Sequence, residues 1–115
     1  MAFSEFIADR IRHRLKSTGV IVEKRMMGGL IFMVNEKMCL GIDKDKKTGE
    51  DRLMIRVGKD AYEALLKKKG CREMDFTGKT MKGFLFIYPL GFDNETDLDF
   101  WVNKALDFNK ETKKK

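Results

Sequence analysis

Histidine, proline and cysteine are scarce in this 115-residue sequence: His13, Pro89, and the pair Cys39 and Cys71 are all it has of them. Two scattered cysteines make no disulfide framework. One histidine with two distant thiols gives no zinc spacing, and a Cys–His nucleophile pair would have only His13 to use as base. Long apolar runs are missing as well. None approaches the roughly 20 residues that a membrane-spanning helix requires, and no secretory signal precedes Phe3. We therefore expect a cytoplasmic protein without membrane contact, in which the glycosylation-like Asn94-Glu95-Thr96 has no meaning. There is no repeat and no Ser/Gly-rich stretch to serve as a linker. The expectation is one domain over residues 1–110, followed by a disordered, Lys-rich tail at 111–115. A domain of this size buries roughly two-thirds of its unfolded surface and needs no metal or disulfide to fold.

Charge is plentiful. Lys and Arg number 24 against 18 Asp and Glu, a formal net charge of +6. Lys113, Lys114 and Lys115 supply half of that excess, so the body of the chain is only mildly basic. Such a body leaves a weak electrostatic footprint for nucleic acid.

Apolar periodicity predicts an N-terminal helix from Ser4 to Thr18, with Ser4 as N-cap and Gly19 as stop. Ile7, Ile11 and Leu15 form its apolar stripe. Arg14 falls beside that stripe, either snorkelling at its edge or reaching a carboxylate. Four strands follow at Val20–Met27, Leu30–Val34, Lys37–Ile42 and Arg52–Val57. Asn35-Glu36 suggests a hairpin, but Glu is a poor left-handed turn residue, which favours a longer loop there. In the fourth strand Leu53, Ile55 and Val57 share one face, and Met54 and Arg56 share the other, at least partly wet face. A helix is predicted over Asp60–Lys69 with Gly70 at its end, and a strand over Phe84–Tyr88 between Gly83 and Pro89. A last helix runs from Thr96 or Asp97 to Asn109, with Thr96 and Asp99 at capping-box spacing. Its core face is Leu98, Trp101, Val102, Ala105, Leu106 and Phe108, with Phe100 opposite. The order α-β-β-β-β-α-β-α fits an α+β fold of two layers, with helices covering one face of an antiparallel sheet.

The near-motifs each fail at a named residue. Gly78-Lys79-Thr80 resembles the end of a phosphate-binding loop, but Glu73 stands where its first Gly belongs and a strand follows in place of a helix. Asp43, Asp45 and Gly49 hint at a calcium loop, yet Thr48 and Met54 occupy its glycine and glutamate positions, and Lys44, Lys46 and Lys47 repel a cation. Asp97 and Asp99 suit the first turn of a helix. We therefore expect no catalytic residue, no metal and no cofactor, and read the chain as a non-enzyme. Of the eight methionines, seven lie in or beside predicted strands, either filling the core or, around Met26-Met27-Gly28-Gly29, forming an adaptable binding surface.

Several segments together resemble the N-terminal domain of the TfoX/Sxy family, named for bacterial regulators of competence. They are Arg25-Met26-Met27-Gly28-Gly29 with Leu30-Ile31-Phe32, then Lys37-Met38-Cys39, then Arg52 to Val57. Met74 to Gly83 and Phe100-Trp101-Val102 with Ala105-Leu106 complete the likeness, which covers about residues 20–110. The resemblance implies a two-layer fold with an antiparallel sheet, similar to secretion chaperones, and brings no catalytic residue to carry over. The competence regulators have a second, C-terminal domain. This sequence stops at Lys115, so a stand-alone member is expected, and a role in transcription does not follow.

The resulting expectation is a small binding or regulatory module. Its candidate surface is Arg25, Met26, Met27, Gly28 and Gly29 with Lys79, Met81 and Lys82, basic and apolar groups near strand ends that could meet carboxylate or phosphate. A protein partner is expected ahead of nucleic acid. The alternatives are a structural role, with a homodimer formed through Phe100 or a strand edge, and competence-type transcriptional regulation through weak nucleic-acid contacts.

Overall fold

A computed structural model describes residues 3–16, 18–26, 28–76 and 79–111, with the side chains of 75–81 outside that description. The first element is the expected helix, α1 (Glu5–Leu15), whose N-cap Ser4 accepts a hydrogen bond from the Ile7 amide. It ends earlier than expected because Thr18 turns back, its amide and hydroxyl both donating to the Leu15 carbonyl. Four strands follow: β1 (Ile21–Met26), β2 (Gly29–Val34), β3 (Lys37–Lys44) and β4 (Asp51–Arg56). After α2 (Lys59–Leu66) come β5 (Cys71–Phe76) and β6 (Lys79–Ile87), then the single-turn α3 (Pro89–Phe92) and the long α4 (Glu95–Glu111). The expected order is present, with β5 and α3 added to it.

All six strands form one sheet in the order β1-β2-β3-β4-β6-β5, and every neighbouring pair is antiparallel. Alternation sends Leu30, Phe32 and Val34 of β2, Leu40 and Ile42 of β3, Leu53 and Ile55 of β4, and Leu85 and Ile87 of β6 to one side. There they join Ile7, Ile11 and Leu15 of α1, Tyr62 and Leu65 of α2, and Leu98, Trp101, Val102, Ala105 and Leu106 of α4 in one core. All helices that contribute to this core therefore lie on the same face of the sheet. Phe108, expected in it, is only partly buried, and Asn109 takes the buried position, its side-chain amide donating to the Val34 carbonyl.

The β2–β3 hairpin corrects the expected longer loop. Its turn has two residues, with Asn35 at φ 51° and Glu36 at φ 68°. Paired left-handed residues are what the twist of a two-residue hairpin demands. Asn35 is fastened in place because its amide donates to the Val20 carbonyl while its side-chain oxygen accepts from the Val20 amide. That clasp holds the turn despite the Glu. A β-bulge between Phe32 and Met33 then lets Cys39 and Leu40 both enter the core.

Candidate binding surface

The face of the sheet turned away from the helices carries the candidate surface. Register places Val22, Lys24 and Met26 of β1 beside Met33, Ile31 and Gly29 of β2. Met33 lies opposite Met38, Ile31 opposite Gly41, and Gly41 opposite Met54 of β4, which faces Phe86 of β6. Gly41 keeps this surface level. A Cβ there would stand 2.7 Å from Ile31 Cδ1 and 3.2 Å from Met54 Cε, so those two side chains close over the glycine. Ile31, Met33, Met38 and Met54 are all partly exposed, and Met26 is 51% exposed at the rim. The fourth strand thus divides as its alternation predicts, Leu53 and Ile55 buried, Met54 and Arg56 on the wetter side.

Cations surround this apolar strip. Arg52 stacks on Phe86, its guanidinium carbon 3.7 Å from the ring centroid, and Arg56, the last residue of β4, lies 5.7 Å from the Phe84 ring and 5.2 Å from that of Phe108 in α4, at the end of the sheet. Arg72 of β5 pairs across the ladder with Phe86 and sits 5.1 Å from the Tyr88 ring. Such planar stacking on aromatic faces is the usual habit of arginine.

The acids at this surface are already engaged. Arg52 donates to both oxygens of Asp43 at 2.8 and 3.2 Å. The Tyr88 hydroxyl donates to Asp45 at 2.6 Å, which holds the Asp45 carboxyl below its ordinary range. These bonds pin the charged loop that follows β3 against the sheet. It is a structural clasp, and Lys47 donates its backbone amide to Asp45 within it. Lys24, Arg56 and Arg72, by contrast, form no ion pair among the described residues. The face presents unpaired positive charge around methionine and isoleucine.

On the helix side the arginines of α1 are held in ion pairs. Arg14, beside the apolar stripe of α1, is only 16% exposed and donates to Asp99 and Glu95 of α4 at 2.5 and 2.8 Å. Arg10 joins the same Glu95 at 2.8 Å, and Arg12 grips Glu23 of β1 through two bonds of 2.7 and 2.8 Å. The carboxylate partner of Arg14 was one of two readings open in sequence, and α4 supplies it. Phe100 is not a free apolar knob. It packs edge-on against Trp101 and lies under the ammonium groups of Lys68 and Lys104 at 4.5 and 5.4 Å.

Neither thiol is placed for nucleophilic work. Burial pushes both the Cys39 and the Cys71 thiol up to about 12, and His13 is exposed on α1. Lys79 and Thr80 belong to strand β6, so no helix amide terminus follows the phosphate-loop-like segment.

The eight residues proposed from sequence divide by place. Met26 lies on the open face, and Lys82 is exposed in β6 beyond the irregularity at Gly83. Arg25 turns to the helix side, where its guanidinium lies 5.4 Å from the Phe3 ring. Gly28, at φ 79°, makes the β1–β2 turn, and Gly29 is buried so closely that a Cβ would stand 2.6 Å from the Ile42 carbonyl oxygen. Met27 and the side chains of Lys79 and Met81 lie outside the described residues. Register aligns Gly29 with the Arg52–Tyr88 end of the sheet, whereas Lys79–Lys82 begin β6 at the other end. The two clusters are therefore separated by about 20 Å across four strand spacings and about 20 Å along the strands. They are not one pocket. What sequence reasoning missed is the strip between them, although the alternation of Met54 and Arg56 already pointed to it.

Among known families, the model of the TfoX N-terminal domain matches residues 13–109. No curated protein and no solved structure matches the chain.

Proposed function

The chain belongs to the TfoX N-terminal domain family, and from that premise we propose that it is a non-enzymatic regulatory module. In this reading it binds an acidic, partly apolar protein segment on the open face of its sheet. The observation that carries the reading is the combination of Ile31, Met33, Met38 and Met54 with three cations, Lys24, Arg56 and Arg72, that lack a carboxylate partner among the described residues. Flexible thioethers adapt to a partner's apolar side chains, and guanidinium groups select carboxylates by paired hydrogen bonds.

Nucleic acid also offers negative charge, but its bases would need exposed rings to stack on. Phe86 is 6% exposed and covered by Arg52, which favours a protein. Cys39 and Cys71 are both free thiols, which suits a reducing compartment, and we place the module in the cytoplasm.

The test is a photo-activated crosslinker installed at Met54, with a control at the exposed Glu63 of α2, irradiated in the native cell. The reading predicts an adduct from position 54 alone that survives nuclease and contains a peptide rich in Asp and Glu. An adduct lost on nuclease treatment, or the same adducts from both positions, contradicts it.

A further inference from the structure

Strand β1 is an edge of the sheet, and its outer side is bare. Residues 22–26 are all exposed, with Val22 at 45% and Met26 at 51%. Edge strands are ordinarily blunted by charged side chains, a proline, a bulge or a covering element, and of these β1 has only charge, in Glu23, Lys24 and Arg25. The opposite edge, β5, carries an irregularity between Glu73 and Asp75, whereas β1 pairs with β2 without a register shift and contains no proline.

The backbone polarity of β1 follows from its first bond. Val20 accepts from the Asn35 amide, so Val20 faces β2. By the alternation of an antiparallel ladder, Val22, Lys24 and Met26 face β2 as well. Ile21, Glu23 and Arg25 then present their N–H and C=O groups outward, unpaired by the sheet.

We propose that β1 pairs antiparallel with β1 of a second copy of this chain, on a two-fold axis through Lys24, giving one continuous twelve-stranded sheet. The charge pattern selects the occupant and the register. Centred on Lys24, Glu23 lies opposite the second copy's Arg25 and Arg25 opposite its Glu23, both on the helix face and both among the outward-bonding residues. Val22 then meets Met26 of the other copy, twice, at the closer non-hydrogen-bonded sites of the open face. An axis one residue earlier would set Glu23 against itself and Val22 against Lys24. An axis one residue later would set Arg25 against itself and Lys24 against Met26. Only the Lys24 axis, among these three, matches opposite charges and apolar pairs. Glu23 already binds Arg12 through both oxygens, but a carboxylate has about four lone-pair sites and can accept a second guanidinium. The mismatch that remains is the like-charged Lys24 pair on the axis, which keeps the association weak. This proposal does not depend on the open-face partner, although it would double the length of that face.

Sedimentation equilibrium of the full chain from micromolar to about 1 mM tests it. The wild type should show a concentration-dependent monomer–dimer equilibrium. Arg25→Pro removes an outward N–H and half of each ion pair, at an edge position where proline does not disturb β2. It should weaken the dimer at least about tenfold. Lys24→Thr removes the axial repulsion in a good strand former, and should strengthen the dimer several-fold. Circular dichroism reports whether each variant folds; if Arg25→Pro does not, Lys24→Thr decides alone. A wild type that is monomeric throughout overturns the proposal. So does a dimer whose strength Lys24→Thr leaves unchanged, because that dimer would form elsewhere. Neither result touches the crosslink read at Met54.

Discussion

At Gly58 the backbone stands at φ 83°, and the Phe108 ring closes over it so tightly that a Cβ would lie 2.3 Å from Cε1. Left-handed conformation and close approach both require glycine here. Gly58→Ala should therefore destabilise the protein by about 2–3 kcal/mol, read as a lower midpoint in urea unfolding. Gly49, at φ 75° with nothing near it, should lose no more than about 1 kcal/mol on the same substitution. Cys39 provides a second residue-level check. With its thiol pushed up to about 12 by burial, it holds little thiolate at pH 8. Its labelling by a disulfide reagent should run at least about 10²-fold slower than that of free cysteine, and become fast in denaturant. Rapid labelling of Cys39 in the native protein would mean that the thiol is neither buried nor inert.

Among the elements, α4 shows how a sequence signal can be sound and misplaced. Capping-box spacing occurs at Thr96–Asp99, but the box that forms is two residues earlier. The Asp97 amide donates to Asn94 Oδ1 at 2.7 Å, and Asn94 Nδ2 donates to Asp97 Oδ2 at 3.0 Å. Asp99 was unavailable for capping because Arg14 holds it from α1, a tertiary partner no local pattern contains. Asn94→Ala should cost about 1 kcal/mol in thermal unfolding, and Asn94→Ser should recover most of it.

Strands with alternating or continuous apolar residues were legible, as Leu53, Ile55 and the Phe84–Ile87 run illustrate. The edge strand β5 was not. Its residues Cys-Arg-Glu-Met-Asp-Phe have no apolar period, and only pairing with β6 makes them a strand. The candidate surface was half legible for a related reason. Alternation assigns Met54 and Arg56 to the wet face, but the order β4-β6-β5 decides which strand's charges stand beside them, and long-range pairing is not written in any local window. That order brought Arg72 to the open face and carried Lys79–Lys82 away from the Arg25–Gly29 turn.

Over the whole molecule, ion pairs that fasten α1 to α4 and β1 make stability pH-dependent. Arg12 lowers the pKa of Glu23, Arg14 that of Glu95, and the Tyr88 hydroxyl that of Asp45. A carboxyl depressed in the folded state adds stability above its unfolded value, near 4, that is lost as pH falls through the folded value. The two thiols act at the other end. Raised to about 12 by burial, they add stability that is present below their unfolded value, near 8.5, and lost as pH rises toward 12. The melting temperature should thus plateau between about pH 5 and 8 and decline on both sides. In Cys39→Ala/Cys71→Ala the alkaline decline should be shallower while the acid limb stays as it was. An unchanged alkaline limb would show that the thiols are not its source.

The central claim, that the open face of the sheet is the binding surface for acidic protein, is most directly tested on the methionine methyl groups. Met26, Met33, Met38 and Met54 stand on that face, while Ile11 of α1 is fully buried in the helix-side core and its methyl groups serve as an internal reference. Carbon-13 methyl spectra would be recorded during titration with an amphipathic peptide of alternating Leu and Glu, with its Lys counterpart, and with single-stranded DNA. The predicted result is movement of those four resonances with the acidic peptide alone, weakening as salt is added, while the Ile11 methyls stay still. Equal movement with the Lys peptide, movement with DNA alone, or four stationary methyls would contradict it.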